Sequence, residues 1–78
     1  MGSNVYQNTI VRIKHEQLTA ATQWTIVHNL GTESPIVDVY TLQDGSYKKI
    51  LPLNILALSV NTARINFTTA TAGYAMVM

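Results

Sequence analysis

The chain of 78 residues is long enough for one small domain, and it contains no cysteine, which excludes disulfide bonds and thiolate chemistry. Its formal net charge is +1, so the composition gives no strong electrostatic attraction to nucleic acid or to an acidic membrane. Charged residues are only 12% of the chain, about half the usual share, and we therefore expect copies of the chain or another protein to cover part of its surface.

Apolar and polar residues alternate with period two from the first predicted strand onward, which indicates β-structure. The first two predicted strands cover residues 6–14 and 23–28, with a short connection between them. Because alternate residues of a strand share a face, Trp24, Ile26 and His28 are expected to lie on the same side of the second strand.

The next two predicted strands cover residues 36–42 and 46–50. Asp44 and Gly45 lie between them, and this dipeptide is the strongest short-range signal of a β-hairpin. The sequence therefore predicts that these two strands pair with each other.

Three further strands are predicted over residues 55–60, 63–68 and 74–78. The first and the third are apolar on both faces, whereas a solvated antiparallel strand has one polar face. We expect oligomerisation to bury both faces of these two strands. An alternative interpretation makes them the central strands of a compact monomer.

Six or seven short strands predict an all-β fold, a small antiparallel sandwich or barrel. Residues 1–19 are interpreted as an N-terminal arm or first strand and residues 20–78 as a β-domain. The predicted core consists of Trp24, Ile26, His28, Val37, Val39, Ile65 and Phe67. The predicted turns contain Gly31, Asp44, Gly45, Asn61 and Gly73.

Catalytic and metal-binding patterns are not recognisable in the sequence, so we expect no enzyme activity and no cofactor or metal. His15 and His28 are the two histidines, and without cysteine they do not complete a four-ligand zinc site. His28 precedes a turn, and its ring is expected to cap that turn by a hydrogen bond to the backbone. No spacing fixes the four carboxylates as a catalytic pair.

Two binding functions are alternatives to a structural role. A nucleic-acid-binding barrel would combine basic residues with stacking rings, but the near-neutral charge argues against nucleic acid. Its candidate residues are Arg12, Lys14, Tyr47, Lys48, Lys49 and Arg64, with Tyr6, Tyr40 and Tyr74. A carbohydrate- or receptor-binding module would expose aromatic rings from Trp24, Tyr40, Tyr47 or Tyr74.

Several segments together resemble a small β-domain of tailed-bacteriophage virion proteins, found in tail fibres, head fibres and capsid decoration proteins. The likeness covers residues 20–78. Its most specific parts are the Trp-x-Ile-x-His-Asn-Leu-Gly stretch that begins at Trp24 and the closing Ala-x-Ala-Gly-x-Ala stretch that begins at Ala70. Neither part marks a catalytic site.

The resemblance implies a structural virion component, made in the host cytoplasm, that assembles as a homo-oligomer, most often a trimer, and contacts capsid or tail subunits. Residues 4–19 would attach the domain to the particle. The chain has no long shaft, which favours a decoration, cement or adaptor subunit over a receptor-binding fibre. The residues expected to form contacts between subunits are Leu56, Leu58, Tyr74, Met76 and Met78. Neither nucleic acid nor membrane is an expected partner.

Overall fold

The computed structural model describes residues 11–78, and every regular element in this part of the chain is a β-strand. The strands form one antiparallel sheet, which confirms the predicted all-β class. They are β1 (Ile13–Val27), β2 (Val37–Gln43), β3 (Ser46–Ile50), β4 (Asn54–Ser59) and β5 (Thr62–Val77).

The long strand β5 is the centre of the sheet. β1 pairs with one side of β5 at both ends of its length, as shown by the partners Trp24 and Ile65 and the partners Ile13 and Val77. The other side of β5 is shared, because β4 pairs with its first half and β2 with its second half. β3 pairs with the remaining side of β2, so that β4 and β3 are separate edge strands.

Seven segments predicted as strands form five strands in the structure, because two pairs of segments are continuous. β1 includes the predicted connection between the first two strands, and β5 includes the small-residue run from Thr68 to Gly73. The first predicted strand begins at residue 6, and its residues 6–10 lie outside the described residues. Shifts of register in β1 between Gln17 and Gln23 replace the predicted connection.

Gly73 lies inside β5 and not in the turn predicted for it. It pairs with Gln17 on one side and with Thr41 on the other. A Cβ atom at this position would collide with the carbonyl oxygen of Tyr40 and would come within 2.9 Å of the Thr41 Cα. Glycine is therefore required by the close approach of two strands.

The remaining turn predictions correspond to reversals of the chain. Asp44 and Gly45 have φ values of 52° and 81° between β2 and β3, as a two-residue hairpin with positive φ at both positions requires. Asn61 lies in the turn between β4 and β5. Gly31, with a φ of 69°, lies in the segment between β1 and β2.

One apolar core contains residues from both halves of β5. Ile65 and Phe67 come from its first half, whereas Ala75 and Val77 come from its second half. Of the seven predicted core residues, six are buried and Val37 is half-buried against the core. The boundary placed between residues 19 and 20 falls inside β1, while residues 1–10 of the predicted arm lie outside the described residues.

Candidate functional site

Residues 11–78 contain no group of three or more histidine, aspartate or glutamate side chains placed to hold a metal ion. This part of the chain also forms no helix that is long and apolar enough to cross a membrane. The features that distinguish the molecule are on its surface.

The largest such feature is an apolar region around β4, here named the β4 surface. All six residues of β4 are exposed. The large apolar side chains range from 39% exposed at Ile55 to 92% exposed at Leu51. The β4 surface consists of Leu51, Leu53, Ile55, Leu56, Leu58 and Val60.

Both faces of β4 contribute to this surface. Ile55 pairs with the buried Ile65, so Ile55 shares the face of the sheet that carries the core. Leu56 pairs with Arg64 and points to the opposite face. We name these the core-side face, with Leu53 and Ile55, and the outer face, with Leu56 and Leu58. Neither face of β4 is covered by another described strand.

The backbone edge of β4 that faces away from β5 has no partner strand among residues 11–78. Residues 51–61 contain no charged side chain. By contrast, the exposed strand β3 carries Lys48 and Lys49, and lysine on an edge strand prevents pairing with other chains. The β3 edge thus carries protective charge, whereas the β4 edge is apolar and uncharged.

The predicted subunit-contact residues form two separate groups. Leu56 and Leu58 lie in β4, beside the first half of β5. Tyr74 and Met76 are half-buried in the second half of β5, with Met78, 38% exposed, directly after them. The structure therefore places these two groups at opposite ends of the central strand.

Three tyrosines form an aromatic cluster beside the second half of β5. The rings of Tyr40 and Tyr74 are stacked with centroids 4.9 Å apart, and Tyr47 meets Tyr74 edge-on at 4.9 Å. The Lys14 ammonium lies 4.7 Å from the centre of the Tyr74 ring. Cross-strand pairs of this kind stabilise a sheet, and two of the three rings are only half-exposed.

Two basic residues near this cluster, Lys14 and Lys49, are paired with acidic residues. Lys14 Nζ lies 3.3 Å from Glu16 Oε2, and Lys49 Nζ lies 3.1 Å from Asp38 Oδ1. The hydrogen bond and charge of Asp38 raise the pKa of Lys49 above its ordinary value. Arg64 belongs to the other half of the sheet. Arg12 lies near Tyr40, so most of the predicted nucleic-acid residues share this end of the sheet, but Glu16 and Asp38 offset two of the positive charges there. Tyr6 lies outside the described residues.

An open groove of about 600 Å³ lies between the β2–β3 hairpin and the middle of β1 and β5. Its lining has no charged side chain and includes the exposed ring of Tyr47 together with Gln17, Gln43 and Thr69. The hydroxyl of Thr41 also lines the groove but donates its hydrogen bond to the Ala72 carbonyl at 2.8 Å. Of the other rings predicted for a sugar, Trp24 is completely buried, and Tyr40 and Tyr74 are half-buried outside the groove.

His28 has the structural position predicted from the sequence. It is 2% exposed, and its Nδ1 accepts a hydrogen bond from the Leu30 backbone N–H at 3.0 Å. The backbone N–H of His28 donates to the Asn61 carbonyl at 2.8 Å. The ring therefore caps the turn after β1, as expected.

Sequence reasoning missed part of the β4 surface and the second role of Asn61. The contact prediction omitted Leu51, Leu53 and Val60, although the uncharged run of residues 51–61 is visible in the sequence. The Asn61 side chain accepts a hydrogen bond from the Gly31 N–H at 3.1 Å, which ties two turns together. No sequence pattern indicates this contact, because it spans thirty residues.

Comparison of the chain with protein-family models, with curated proteins and with solved structures gave no match in any of the three.

Proposed function

We propose that the protein is a non-enzymatic structural subunit of a bacteriophage virion, a homo-oligomeric decoration, cement or adaptor protein on the head or the tail. The main observation that supports a structural role is the exposure of the apolar side chains of the β4 surface. An apolar surface on both faces of an uncharged edge strand is typical of a surface that another protein covers. The phage assignment is supported by the sequence resemblance over residues 20–78.

The mechanism would be burial of the β4 surface in a contact between proteins. From their exposed fractions, its six large side chains leave on the order of 600 Å² accessible, comparable with the ~800 Å² that each partner buries in a stable interface. Such a contact would remove apolar surface from water, which is the main favourable contribution to protein association. A homotrimer is the assembly that we favour.

Within this proposal, the two halves of the sheet would pack face to face as a small sandwich. The supporting observation is that Ile65 and Val77 contribute to one core from opposite ends of β5. The Trp24 Nε1 also donates a hydrogen bond to the Thr71 carbonyl at 2.9 Å, across the middle of that strand.

The test is the location of the protein in phage particles from an infected culture. We expect mass spectrometry of gradient-purified particles to detect the chain at a fixed number of copies per particle. We also expect labelled antibody to mark one region of the intact particle. Detection of the chain only in the lysate, and not in washed particles, would contradict the proposal.

A second candidate function is recognition of a carbohydrate, and the groove beside Tyr47 favours it. An uncharged lining with amide and hydroxyl groups and one exposed ring suits a neutral sugar, because the ring stacks on the sugar face. A glycan array would test this function, with Y47A as the variant that loses binding and Leu58→Ala as a control outside the groove. Equal signals from both variants would exclude the groove.

A further inference from the structure

His28 holds together two turns at one end of the sheet, and we propose that it is an acid-sensitive switch. The structure that it controls, here named the clasp, consists of residues 28–32 after β1 and residues 60–61 between β4 and β5. The uncharged ring keeps the clasp closed. Uptake of a proton by the ring opens the clasp and separates residues 28–32 from the end of β4.

Five consecutive backbone N–H groups build the clasp, and four of them donate hydrogen bonds to Val60 or Asn61. The donors of these four bonds, which are 2.7–3.2 Å long, are His28, Asn29, Gly31 and Thr32. The fifth N–H group, that of Leu30, donates to His28 Nδ1 at 3.0 Å. The other acceptors are amide oxygens, so the imidazole nitrogen is the one acceptor of the clasp that acid can remove.

This hydrogen bond also fixes the position of the proton on the neutral ring. Because Nδ1 accepts from Leu30, the ring hydrogen of His28 is on Nε2. Within the described residues Nε2 is buried and has no hydrogen-bond partner. The neutral ring therefore already leaves one buried donor unpaired, and it has no partner ready to stabilise a positive charge.

Protonation of the buried ring is incompatible with the closed clasp. The second proton would bind at Nδ1, so two N–H groups would face each other where His28 and Leu30 now share a hydrogen bond. A charge without a partner would also lie inside the core, which is far more costly than a neutral polar group. Since a free histidine takes up a proton below about pH 6.5, acid favours a state in which the ring reaches water.

The two turns of the clasp contain no carboxylate that could compensate this charge. Residues 51–61 carry no charged side chain, and Glu33, the one charged residue of the segment between β1 and β2, is exposed. Arg64 lies nearby on β5, but it pairs with Leu56 on the opposite face of the sheet. Among the described residues, neither nitrogen of the His28 ring is paired with a carboxylate.

The strands do not compensate the charge either. On the face of the sheet that carries the core, the titratable groups are His15, whose ring lies 5.9 Å from that of Trp24, and the exposed Lys48. Both groups are basic. The two acidic residues of the strands, Glu16 and Asp38, are on the opposite face. A protonated His28 would thus meet only neutral or basic groups on its own face.

The experiment follows stability between about pH 7.5 and 5.0, a range in which ordinary carboxylates keep their charge. His28→Asn removes the titrating ring but keeps an acceptor, because an asparagine oxygen can accept from the backbone N–H two residues further along. His15→Gln is the matched control, since it removes the other histidine of the chain. Urea titration at each pH gives the folding equilibrium constant of all three proteins.

We expect this constant to fall about thirtyfold from pH 7.5 to 5.0 in the wild type and in His15→Gln. The unfolded chain then binds one proton more than the closed fold, so stability falls as pH falls. His28→Asn should change by less than about threefold over the same range. Equal losses in the wild type and in His28→Asn would overturn the inference.

Nitrogen NMR of isotope-labelled wild type tests the clasp directly and requires no variant. We expect the hydrogen on Nε2 at about pH 7.5. As the ring takes up its second proton, the amide signals of residues 28–32 and of Asn61 should shift together, whereas those of β3, in the other half of the sheet, should stay unchanged. Protonation of His28 without a change at Leu30 would overturn the inference, and this result decides it if His28→Asn does not fold.

Discussion

Trp24 connects distant parts of the sheet through one side chain. Its ring is completely buried, lies 4.7 Å from the Phe67 ring and donates a hydrogen bond from Nε1 to the Thr71 carbonyl at 2.9 Å. The residue therefore contributes both packing and a polar contact at the irregular middle of β5. The period-two pattern predicts its burial, but not the hydrogen bond.

Replacement of Trp24 by phenylalanine should lower the free energy of unfolding by about 2–4 kcal/mol, because it leaves a cavity and an unpaired Thr71 carbonyl. Urea titration followed by far-ultraviolet circular dichroism measures this change. Tyr47→Phe, at an exposed ring, is the control and should change stability by less than about 0.5 kcal/mol. A loss below about 1 kcal/mol for Trp24→Phe would contradict the assigned role.

Gly73→Ala should destabilise the protein by more than about 2 kcal/mol or prevent folding, because the new methyl group would collide with the Tyr40 carbonyl. Gly31→Ala is the matched control. Its φ of 69° is strained for alanine, but no atom lies within 4 Å of the new Cβ, so we expect a loss of about 1 kcal/mol. Thermal unfolding of the two variants compares them, and equal losses would show that the close approach is unimportant.

At the scale of elements, residues 55–60 and 74–78 show the limit of pattern analysis. Both segments are apolar on both faces, yet β4 is an exposed edge strand whereas the end of β5 lies between β1 and β2. The pattern alone does not separate the two, because strand position depends on partners that are distant in sequence. The alternative interpretation, in which both segments are central strands of a compact monomer, therefore agrees with the position of residues 74–78 but not with that of residues 55–60.

The hairpin of β2 and β3 could be predicted well from its sequence, because the Asp44-Gly45 turn acts locally. The strand predicted over residues 46–50 coincides with β3, and the strand predicted over residues 36–42 is displaced by one residue from β2, Val37–Gln43. The two long strands were divided wrongly, since small and polar residues such as Thr19 and Thr69 resemble turns when their neighbours are unknown.

The Lys49–Asp38 pair in this hairpin should make stability depend on alkaline pH. Because Asp38 raises the Lys49 pKa above the ordinary 10.5, the pair stabilises the fold below that pH. The contribution is lost as pH rises through the higher folded value. We expect Lys49→Met to be less stable than the wild type near about pH 8 and equal to it at the alkaline end of a titration.

The measurement is the difference in urea midpoint between wild type and Lys49→Met across that titration. Lys48→Met serves as the control, since Lys48 forms no ion pair within the described part of the chain. A difference that stayed constant through the alkaline range would show that the Lys49 effect comes from packing and not from charge.

At the scale of the whole molecule, unfolding and dissociation are coupled in the proposed homotrimer. A hundredfold increase in protein concentration should then stabilise each chain of a trimer by about 1.8 kcal/mol and raise Tm by on the order of 10 °C. Differential scanning calorimetry of the wild type at several concentrations measures this shift. Leu56→Glu should melt at a temperature that does not depend on concentration.

The candidate site could be predicted in outline. The low charge and the two doubly apolar segments predict an apolar surface that a partner covers, and Leu56 and Leu58 belong to the exposed β4 surface. The sequence did not predict that Leu51 and Leu53 extend the surface or that Tyr74 lies far from it, because these positions depend on which half of β5 each strand joins.

The central position of β5 also determines the order in which the protein can fold during synthesis. Of the strands β1 to β5, it leaves the ribosome last and supplies the pairing partner of β1, β2 and β4. Before β5 emerges, the β2–β3 hairpin is the only pairing among these strands that can form. The apolar residues 51–61 then have no strand to pair with. Slow translation of this region would therefore favour aggregation of nascent chains, and chaperones that shield apolar segments should raise the yield.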